Sequence, residues 1–177
     1  YRLQRYQDFD NRLAKISELP NINLRIAAVS AFSAHQRRTN DPYNFCKNPL
    51  DFVVNANISD YERRSCGVIE SALIESGKRQ LEWEGRTTKF GFQGPNDVFE
   101  SPNEGISHLE SILRRAVDDY FNKFIKEANT FISNWPRDYK LSGWYNRLVK
   151  NGHHTAHIHS KGWLSGVIYL KTITSSK

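Results

Sequence analysis

The chain has 177 residues, a length typical of one domain, and its aromatic content of 12% is enough to exclude global disorder. Two cysteines exclude a disulfide scaffold and a four-cysteine zinc site. A mean hydropathy of −0.65 and the lack of any apolar run of about 20 residues argue against a membrane protein. The net charge is +6, but the basic residues form scattered pairs, so nucleic acid is not the expected partner. The first residues lack the apolar stretch of a secretory signal, which predicts a cytoplasmic protein.

The first third of the chain is predicted to be helical. Apolar residues recur at spacings of three and four over residues 3–16, and Pro20 ends this helix. A second helix is predicted over residues 23–38. A third is predicted over residues 59–76, because Ser59 and Glu62 form a capping box.

The middle of the chain changes pattern twice. Residues 80–92 favour extended structure. A capping box at Ser101 and Glu104, with Pro102 at the first helical position, then opens the clearest helix of the chain. Its three-four apolar spacing continues for about eight turns and predicts one amphipathic helix over residues 101–135.

The last part of the chain is predicted to form strands. Residues 140–149 read as one strand, and Asn151-Gly152 is a strong tight-turn signal. Residues 154–159 read as a second strand, and residues 163–172 as a third that is apolar enough to be buried. Helices and an antiparallel sheet in separate stretches predict the α+β class.

Four of the six histidines lie within seven positions, at 153, 154, 157 and 159. Imidazole is the commonest side-chain ligand of borderline divalent metals. Side chains alternate along a strand, so His157 and His159 would share one face and could take two adjacent corners of a metal's coordination sphere. By the same alternation His154 faces away, and the turn at Gly152 displaces His153.

These residues also carry a family resemblance, which is best over residues 86–171. The segments that carry it are Thr87-Thr88-x-Phe90-Gly91-x-Gln93, Phe99, the helix that follows it, Trp144-x-Asn146, Gly152, His157-Ile158-His159 and Leu164-Ser165-Gly166-Val167-Ile168-Tyr169-Leu170. In their order and spacing the chain resembles a family of iron(II)- and 2-oxoglutarate-dependent oxygenases, whose domains often stand at the C-terminus of longer proteins, behind tetratricopeptide repeats.

The resemblance implies a double-stranded β-helix, a jelly-roll barrel with helices packed on its outside. It divides the chain into a helical region, residues 1–78, and the N-terminal part of the jelly-roll domain, residues 79–177. It also implies iron(II) as the metal, 2-oxoglutarate as the cosubstrate and hydroxylation of a protein or small molecule as the reaction.

Individual residues acquire roles from the resemblance. His157 matches the first iron ligand, and Trp144 and Asn146 line the mouth or cosubstrate side of the pocket. From the residues alone, Trp144 and Trp163 are better explained as core aromatics. His159 occupies the position where most relatives have Asp, so either it binds in a three-histidine site or water takes its place. The distal histidine and the basic residue that holds 2-oxoglutarate are expected after Lys177, which makes the chain a fragment of a longer enzyme.

Two other interpretations stay open. A cupin-like metal protein shares the barrel and the His-x-His motif, but it needs a Glu a few residues later, and residues 160–164 contain none. A binding module that has lost its chemistry is compatible with the missing Asp and with the early end of the sequence.

Overall fold

The computed structural model describes residues 5–19, 22–61, 82–85, 87–94, 97–100 and 103–170. Two short 3-10 turns cover Pro49–Phe52 and Val98–Glu100. The helices are α1 (Tyr6–Ser17), α2 (Leu24–Arg37), α3 (Ile58–Tyr61), α4 (Glu104–Phe124) and α5 (Thr130–Ser133), and the strands are β1 (Glu82–Trp83), β2 (Thr88–Gln93) and β3 (Asn146–His154). No helix in the described part of the chain is both long enough and apolar enough to cross a membrane.

The described residues divide into two compact units. Unit 1 takes its residues from Tyr1–Val53, Phe124–Pro136 and Ile158–Ser165, and unit 2 from Val54–Lys123, Arg137–His157 and Gly166–Lys177. The predicted domain boundary, between residues 78 and 79, falls in a stretch outside the described residues, so the division into residues 1–78 and 79–177 stays a prediction.

Helices α1 and α2 of unit 1 form where the sequence predicted them. Asn23 caps α2, because its side chain accepts hydrogen bonds from the backbone N–H groups of Arg25 and Ile26 at 3.0 and 3.3 Å. Arg37, the last residue of α2, donates two hydrogen bonds to the Asp10 carboxylate of α1, at 2.7 and 2.8 Å. The predicted stop at Pro20 lies outside the described residues, and α1 ends at Ser17.

An aromatic cluster gives unit 1 much of its core. The Phe131 N–H donates to the carbonyl oxygen of Phe45 at 3.0 Å, and Trp163 Nε1 donates to the carbonyl oxygen of Phe131 at 3.2 Å. The ring centres of Phe45 and Trp163 are 5.3 Å apart in an edge-to-face arrangement. Trp163 is therefore a half-buried member of this aromatic cluster.

Unit 2 combines an open antiparallel sheet, in the order β1-β2-β3, with helix α4. Its core consists of Ile106, Leu109 and Ile112 on one face of α4. The α+β class is confirmed. The described strands form a small open sheet rather than a barrel, so the jelly roll that the resemblance implies stays a prediction.

The predicted helix over residues 101–135 is divided. Asn103 caps α4, because its Oδ1 accepts the Ile106 N–H at 2.9 Å, and the helix ends at Phe124. Asn129 then caps a new short helix, α5, by accepting the Ile132 N–H at 3.0 Å. The apolar spacing continues through the break, so the side-chain amide at Asn129 decides where the second helix starts.

The predicted tight turn at Asn151-Gly152 is wrong. β3 runs through both residues and pairs with β2 on either side of them. At one end of β3, Asn146 pairs with Gln93, and at the other end His154 pairs with Thr88. Asn151 does adopt the left-handed backbone that such turns use, with φ of 66°. The local preference is thus satisfied inside a bulge, because pairing with β2 outweighs the hairpin.

The predicted strands over residues 154–159 and 163–172 are wrong where the structure describes them, because residues 155–170 form no strand. The second segment is not uniformly buried either. Val167 and Tyr169 are 74% and 78% exposed, whereas Ile168 and Leu170 pack against the core of unit 2. Of the third predicted helix, only α3 is described, and residues 62–76 lie outside the described residues.

Candidate metal centre

The candidate site lies where β2 and β3 pair irregularly. Lys89 pairs with His153 and Gly91 pairs with Leu148, so residues 149–152 of β3 lie opposite Phe90 alone. Phe90 itself has a φ of 48°, in a region that bulky residues rarely adopt. This bulge re-aims the end of β3, which carries two of the clustered histidines.

Gly152 lets the two strands approach closely at this bulge. A Cβ atom at this position would lie 2.5 Å from the Phe90 carbonyl oxygen and 2.8 Å from that of Val149. Both neighbours are main-chain atoms, which cannot move aside as a flexible side chain can. The absence of a side chain at Gly152 is therefore a requirement of the bulge.

A chain of neutral hydrogen bonds holds His154. Thr88 is fully buried, and its hydroxyl donates to Gln93 Oε1 at 2.9 Å. A hydroxyl has one proton, so Thr88 Oγ1 can only accept from His154 Nδ1, which is 3.3 Å away. When the Gln93 amide turns Oε1 toward Thr88 and the hydroxyl donates to it, Nδ1 of His154 is the protonated nitrogen and Nε2 carries the lone pair that a metal binds.

His157 has the same tautomer for a similar reason. Its Nδ1 lies 2.7 Å from the carbonyl oxygen of Thr155, and a carbonyl can only accept. Thr155 is itself fixed, because its N–H donates to the carbonyl oxygen of Thr87 at 2.8 Å. A hydrogen bond from one ring nitrogen to a carbonyl is how proteins orient the other nitrogen toward a metal.

The rings of His154 and His157 are neighbours. Their centres are 6.2 Å apart, with 55° between the ring planes. His154 is exposed as a residue, yet partial loss of water around its ring lowers its pKa, and so do the charges that His157 and His153 carry when protonated. A lowered pKa favours neutral imidazole, the form that binds metals.

The other predicted site residues are placed as follows. His159 is exposed and falls in unit 1, whereas His157 falls in unit 2. Residues 155–159 are not a strand, so the alternation that put His157 and His159 on one face does not apply to them. Trp144 precedes β3 and is 42% exposed. The site assignments of His157, His159, Trp144 and Asn146 stay predictions.

Asn146 has one unusual atom. It pairs with Gln93 at the start of β3, and its side-chain Oδ1 is buried with no hydrogen-bond partner in the described structure. A buried amide oxygen without a partner costs about 1–3 kcal/mol, so a ligand group that donates a hydrogen bond to it would be stabilising.

The described residues fit iron(II) in part. The tautomer of His157 suits a metal ligand, and the Asn146 amide, at the other end of β3, can make a polar contact with a bound group. No three His, Cys, Asp or Glu side chains converge on a common point among the residues the structure describes. A facial triad of two histidines and a carboxylate is thus not assembled by these residues alone.

The sequence-based reasoning missed the group around His154. Strand alternation pointed this side chain away from the metal, and Thr88 and Gln93 entered only as parts of a motif. The spacing of three between His154 and His157 was a usable signal once the second of them was not on a strand. No sequence pattern shows that Thr88 and His154, 66 positions apart, are in contact.

Comparison with known proteins gives one match. A family model described as "Putative 2OG-Fe(II) oxygenase" matches residues 142–177, which include β3, His157 and His159. The predicted resemblance is confirmed over this segment. No curated protein and no solved structure matches the chain.

Proposed function

We propose that this chain is part of an iron(II)- and 2-oxoglutarate-dependent oxygenase. The observation that carries the proposal is the family match over residues 142–177, the segment that contains the oriented imidazole of His157. The substrate class that we propose is a protein segment or a small molecule, because the basic residues form no stripe suited to nucleic acid.

His157 is the residue that we propose as an iron ligand. The carbonyl oxygen of Thr155 accepts a hydrogen bond from Nδ1–H of His157, so the ring is in the tautomer that carries its lone pair on Nε2, as metal binding needs. The hydrogen bond from the Thr155 N–H to the carbonyl oxygen of Thr87, the residue before β2, fixes the position of the Thr155 carbonyl and thus of His157. His159 keeps its predicted place as a second ligand, in the position where relatives have Asp.

Asn146 is the residue that we propose on the cosubstrate side. Both carboxylates and the keto group of 2-oxoglutarate only accept hydrogen bonds, as does the buried Oδ1 of Asn146. A half-turn of the amide about χ2 exchanges Oδ1 for Nδ2 at almost no change in shape, and Nδ2 can donate. We therefore propose that the amide is turned when 2-oxoglutarate is bound, with Trp144 beside it at the mouth of the pocket.

Iron(II), when bound with 2-oxoglutarate, supplies the oxygen chemistry in which the cosubstrate becomes succinate and carbon dioxide while substrate C–H becomes C–OH. The chain's own part is to hold His157 in one tautomer and orientation and to offer the Asn146 amide. These are positioning tasks, which rigid strands and second-sphere hydrogen bonds perform well.

The test measures succinate formation from 2-oxoglutarate by the natural protein that carries this chain, with iron(II) and oxygen. We expect turnover by the wild type, loss of turnover in His157→Ala, and wild-type turnover in His35→Ala, whose histidine lies on α2. A wild-type protein that binds iron(II) but consumes no 2-oxoglutarate would favour the cupin-like alternative. Equal turnover by His157→Ala and wild type would refute the ligand assignment.

A further inference from the structure

We infer that His154 and His157 together form a two-imidazole site for a borderline divalent metal ion such as Zn²⁺. This inference deepens the proposed function, because it shares His157 with the iron site proposed above. The sequence pattern paired His157 with His159 as metal ligands, whereas this inference pairs His157 with His154. Strand alternation had pointed His154 away, but the structure puts its ring beside that of His157.

The first argument is distance. Two imidazole nitrogens at about 2.1 Å from one zinc ion place their ring centres about 5 Å apart in tetrahedral geometry and at most about 6.5 Å apart. The ring centres of His154 and His157 are 6.2 Å apart. This distance lies within the range that one ion can span, and both residues are exposed, so an ion from solvent can reach them.

The second argument is tautomer. In both rings Nδ1 lies beside an oxygen, Thr88 Oγ1 at 3.3 Å for His154 and the Thr155 carbonyl at 2.7 Å for His157. The carbonyl can only accept, and Thr88 Oγ1 accepts from His154 when its own proton goes to Gln93. Both rings therefore present the lone pair on Nε2. Two neighbouring imidazoles that the chain sets in the same metal-binding tautomer need no proton rearrangement when the ion arrives.

The third argument is rigidity of the support. Thr88 is fully buried on β2 and pairs directly with His154 on β3. Gln93, which accepts the Thr88 proton, is in turn packed against Gly85, where a Cβ atom would lie 2.7 Å from Gln93 Oε1. His154 is thus oriented by a buried hydroxyl and a confined amide, which is the arrangement that metal sites use in their outer sphere.

His153 provides a matched control within the same cluster. It neighbours His154 on β3, so its side chain points to the opposite face of the strand. Its Nδ1 lies 3.0 Å from the Asn151 carbonyl oxygen, and its ring is near Phe90, with centres 6.3 Å apart. Loss of this imidazole should leave the inferred pair in place.

The experiment is calorimetric titration of the natural protein that carries this chain with Zn²⁺ alone, without 2-oxoglutarate. We expect His154→Ala and His157→Ala each to weaken Zn²⁺ binding at least tenfold, on the scale at which metal sites respond to lost ligands and supports. His153→Ala and His35→Ala should bind as the wild type does, and His159→Ala should lose less affinity than His154→Ala. Unchanged affinity in His154→Ala overturns the inference, whatever His159→Ala does.

Thr88 is tested as a positioning residue by a second readout. Thr88→Val keeps the shape but removes the acceptor for His154 Nδ1, and Thr88→Ser keeps the hydroxyl. In a long-range nitrogen–proton NMR spectrum of the metal-free chain, we expect Nδ1-protonated His154 in the wild type and Thr88→Ser. Thr88→Val should shift His154 toward the Nε2-protonated tautomer and weaken Zn²⁺ binding. A wild-type spectrum with His154 protonated on Nε2 overturns the tautomer argument directly.

The two proposals fail in different ways. Zinc binding that depends on His154, in a protein that never forms succinate, leaves the imidazole pair standing and removes the oxygenase. Succinate formation that survives His154→Ala, with unchanged Zn²⁺ affinity, removes the pair and leaves the oxygenase with His157 and His159.

Discussion

Arg37 and His154 are both held by side chains of a neighbouring element, but by different kinds of bond. Arg37 meets the opposite charge of Asp10 through two short hydrogen bonds. His154 meets the neutral hydroxyl of Thr88, whose own proton goes to Gln93. The first arrangement uses its charges inside unit 1 and contributes to stability. The arrangement around His154 fixes the orientation of its ring through Nδ1, and Nε2 is the atom that we propose as a metal ligand.

The packing around the two arrangements differs as well. Around Arg37, helix caps and partly exposed charges can adjust to a lost partner. At the β2–β3 bulge, main-chain oxygens of Phe90 and Val149 occupy the space that a side chain at position 152 would need. We therefore expect changes at the bulge to cost more stability than changes at the α1–α2 pair.

The largest expected effect is that of Gly152→Ala. The new methyl group would meet the Phe90 carbonyl oxygen at 2.5 Å, and main-chain atoms cannot yield without displacing β2 from β3. We expect a loss of about 3 kcal/mol in the free energy of unfolding. Urea unfolding followed by circular dichroism measures it. Gly166→Ala is the matched control, because no atom lies within 4 Å of a Cβ there, and it should unfold at the wild-type urea concentration.

The next effect is that of Asn23→Ala at the start of α2. The substitution removes the acceptor for the Arg25 and Ile26 N–H groups, and a lost N-cap costs about 1 kcal/mol. Asn23→Ser retains a capping oxygen and should recover most of the loss in the same urea experiment. Equal destabilisation by Ala and Ser would mean that Asn23 does not act as a cap.

A smaller effect is expected for Asp10→Ala, which removes the partner of Arg37. Their side chains are 39% and 23% exposed, so the pair contributes about 0.5–1 kcal/mol, and less at high salt. Asp8→Ala breaks the Arg5–Asp8 pair, which is 69% and 52% exposed, and should cost still less. Thermal unfolding of both variants at low and high salt tests the order, and the reverse order would contradict it.

The smallest effect concerns pH and Asp97. Burial acts to raise the pKa of Asp97, but hydrogen bonds from the Gly143 N–H, the Ser142 side chain and the Phe99 N–H, with the charge of Lys140, hold it below its ordinary value. Because the pKa is lower in the folded state, the Asp97 carboxylate stabilises the fold at pH values above the unfolded-state pKa of about 3.9. This contribution is lost as the pH falls through the folded-state pKa.

Urea unfolding of the wild type and Asp97→Asn between pH 2 and pH 6 measures this contribution. Asn keeps the oxygen that accepts from the Gly143 N–H but cannot titrate. We expect a shallower fall in stability with acid for Asp97→Asn than for the wild type. Parallel curves would show that Asp97 makes no contribution to acid unfolding.

The helices were the part of the fold that the sequence predicted best. The spacing of apolar residues placed α1, α2 and α4, and the prediction of α2 over residues 23–38 agrees with the observed Leu24–Arg37. The end of α4 was not predicted, because the apolar spacing continues through residues 125–129. Asn129 as a new cap was the local signal of the break, and it was overlooked.

The strands at the end of the chain were predicted less well. Asn151-Gly152 is a turn signal that acts over four residues, whereas the pairing of β3 with β2 acts across more than fifty positions. The longer-range pairing prevailed and absorbed the turn as a bulge. Residues 163–170 read as a buried strand, yet only alternate side chains, those of Ile168 and Leu170, reach the core of unit 2.

The sequence by itself determined the α+β class, the principal helices and the segment in which the family resemblance lies, because these depend on short-range spacing and residue type. Only the tertiary structure decided which histidine stands beside His157. That choice depends on the contact of Thr88 with His154 and on the bulge opposite Phe90. The tautomer of a histidine depends on the hydrogen-bond partners of its ring nitrogens, and the spacing of residues along the chain does not reveal those partners.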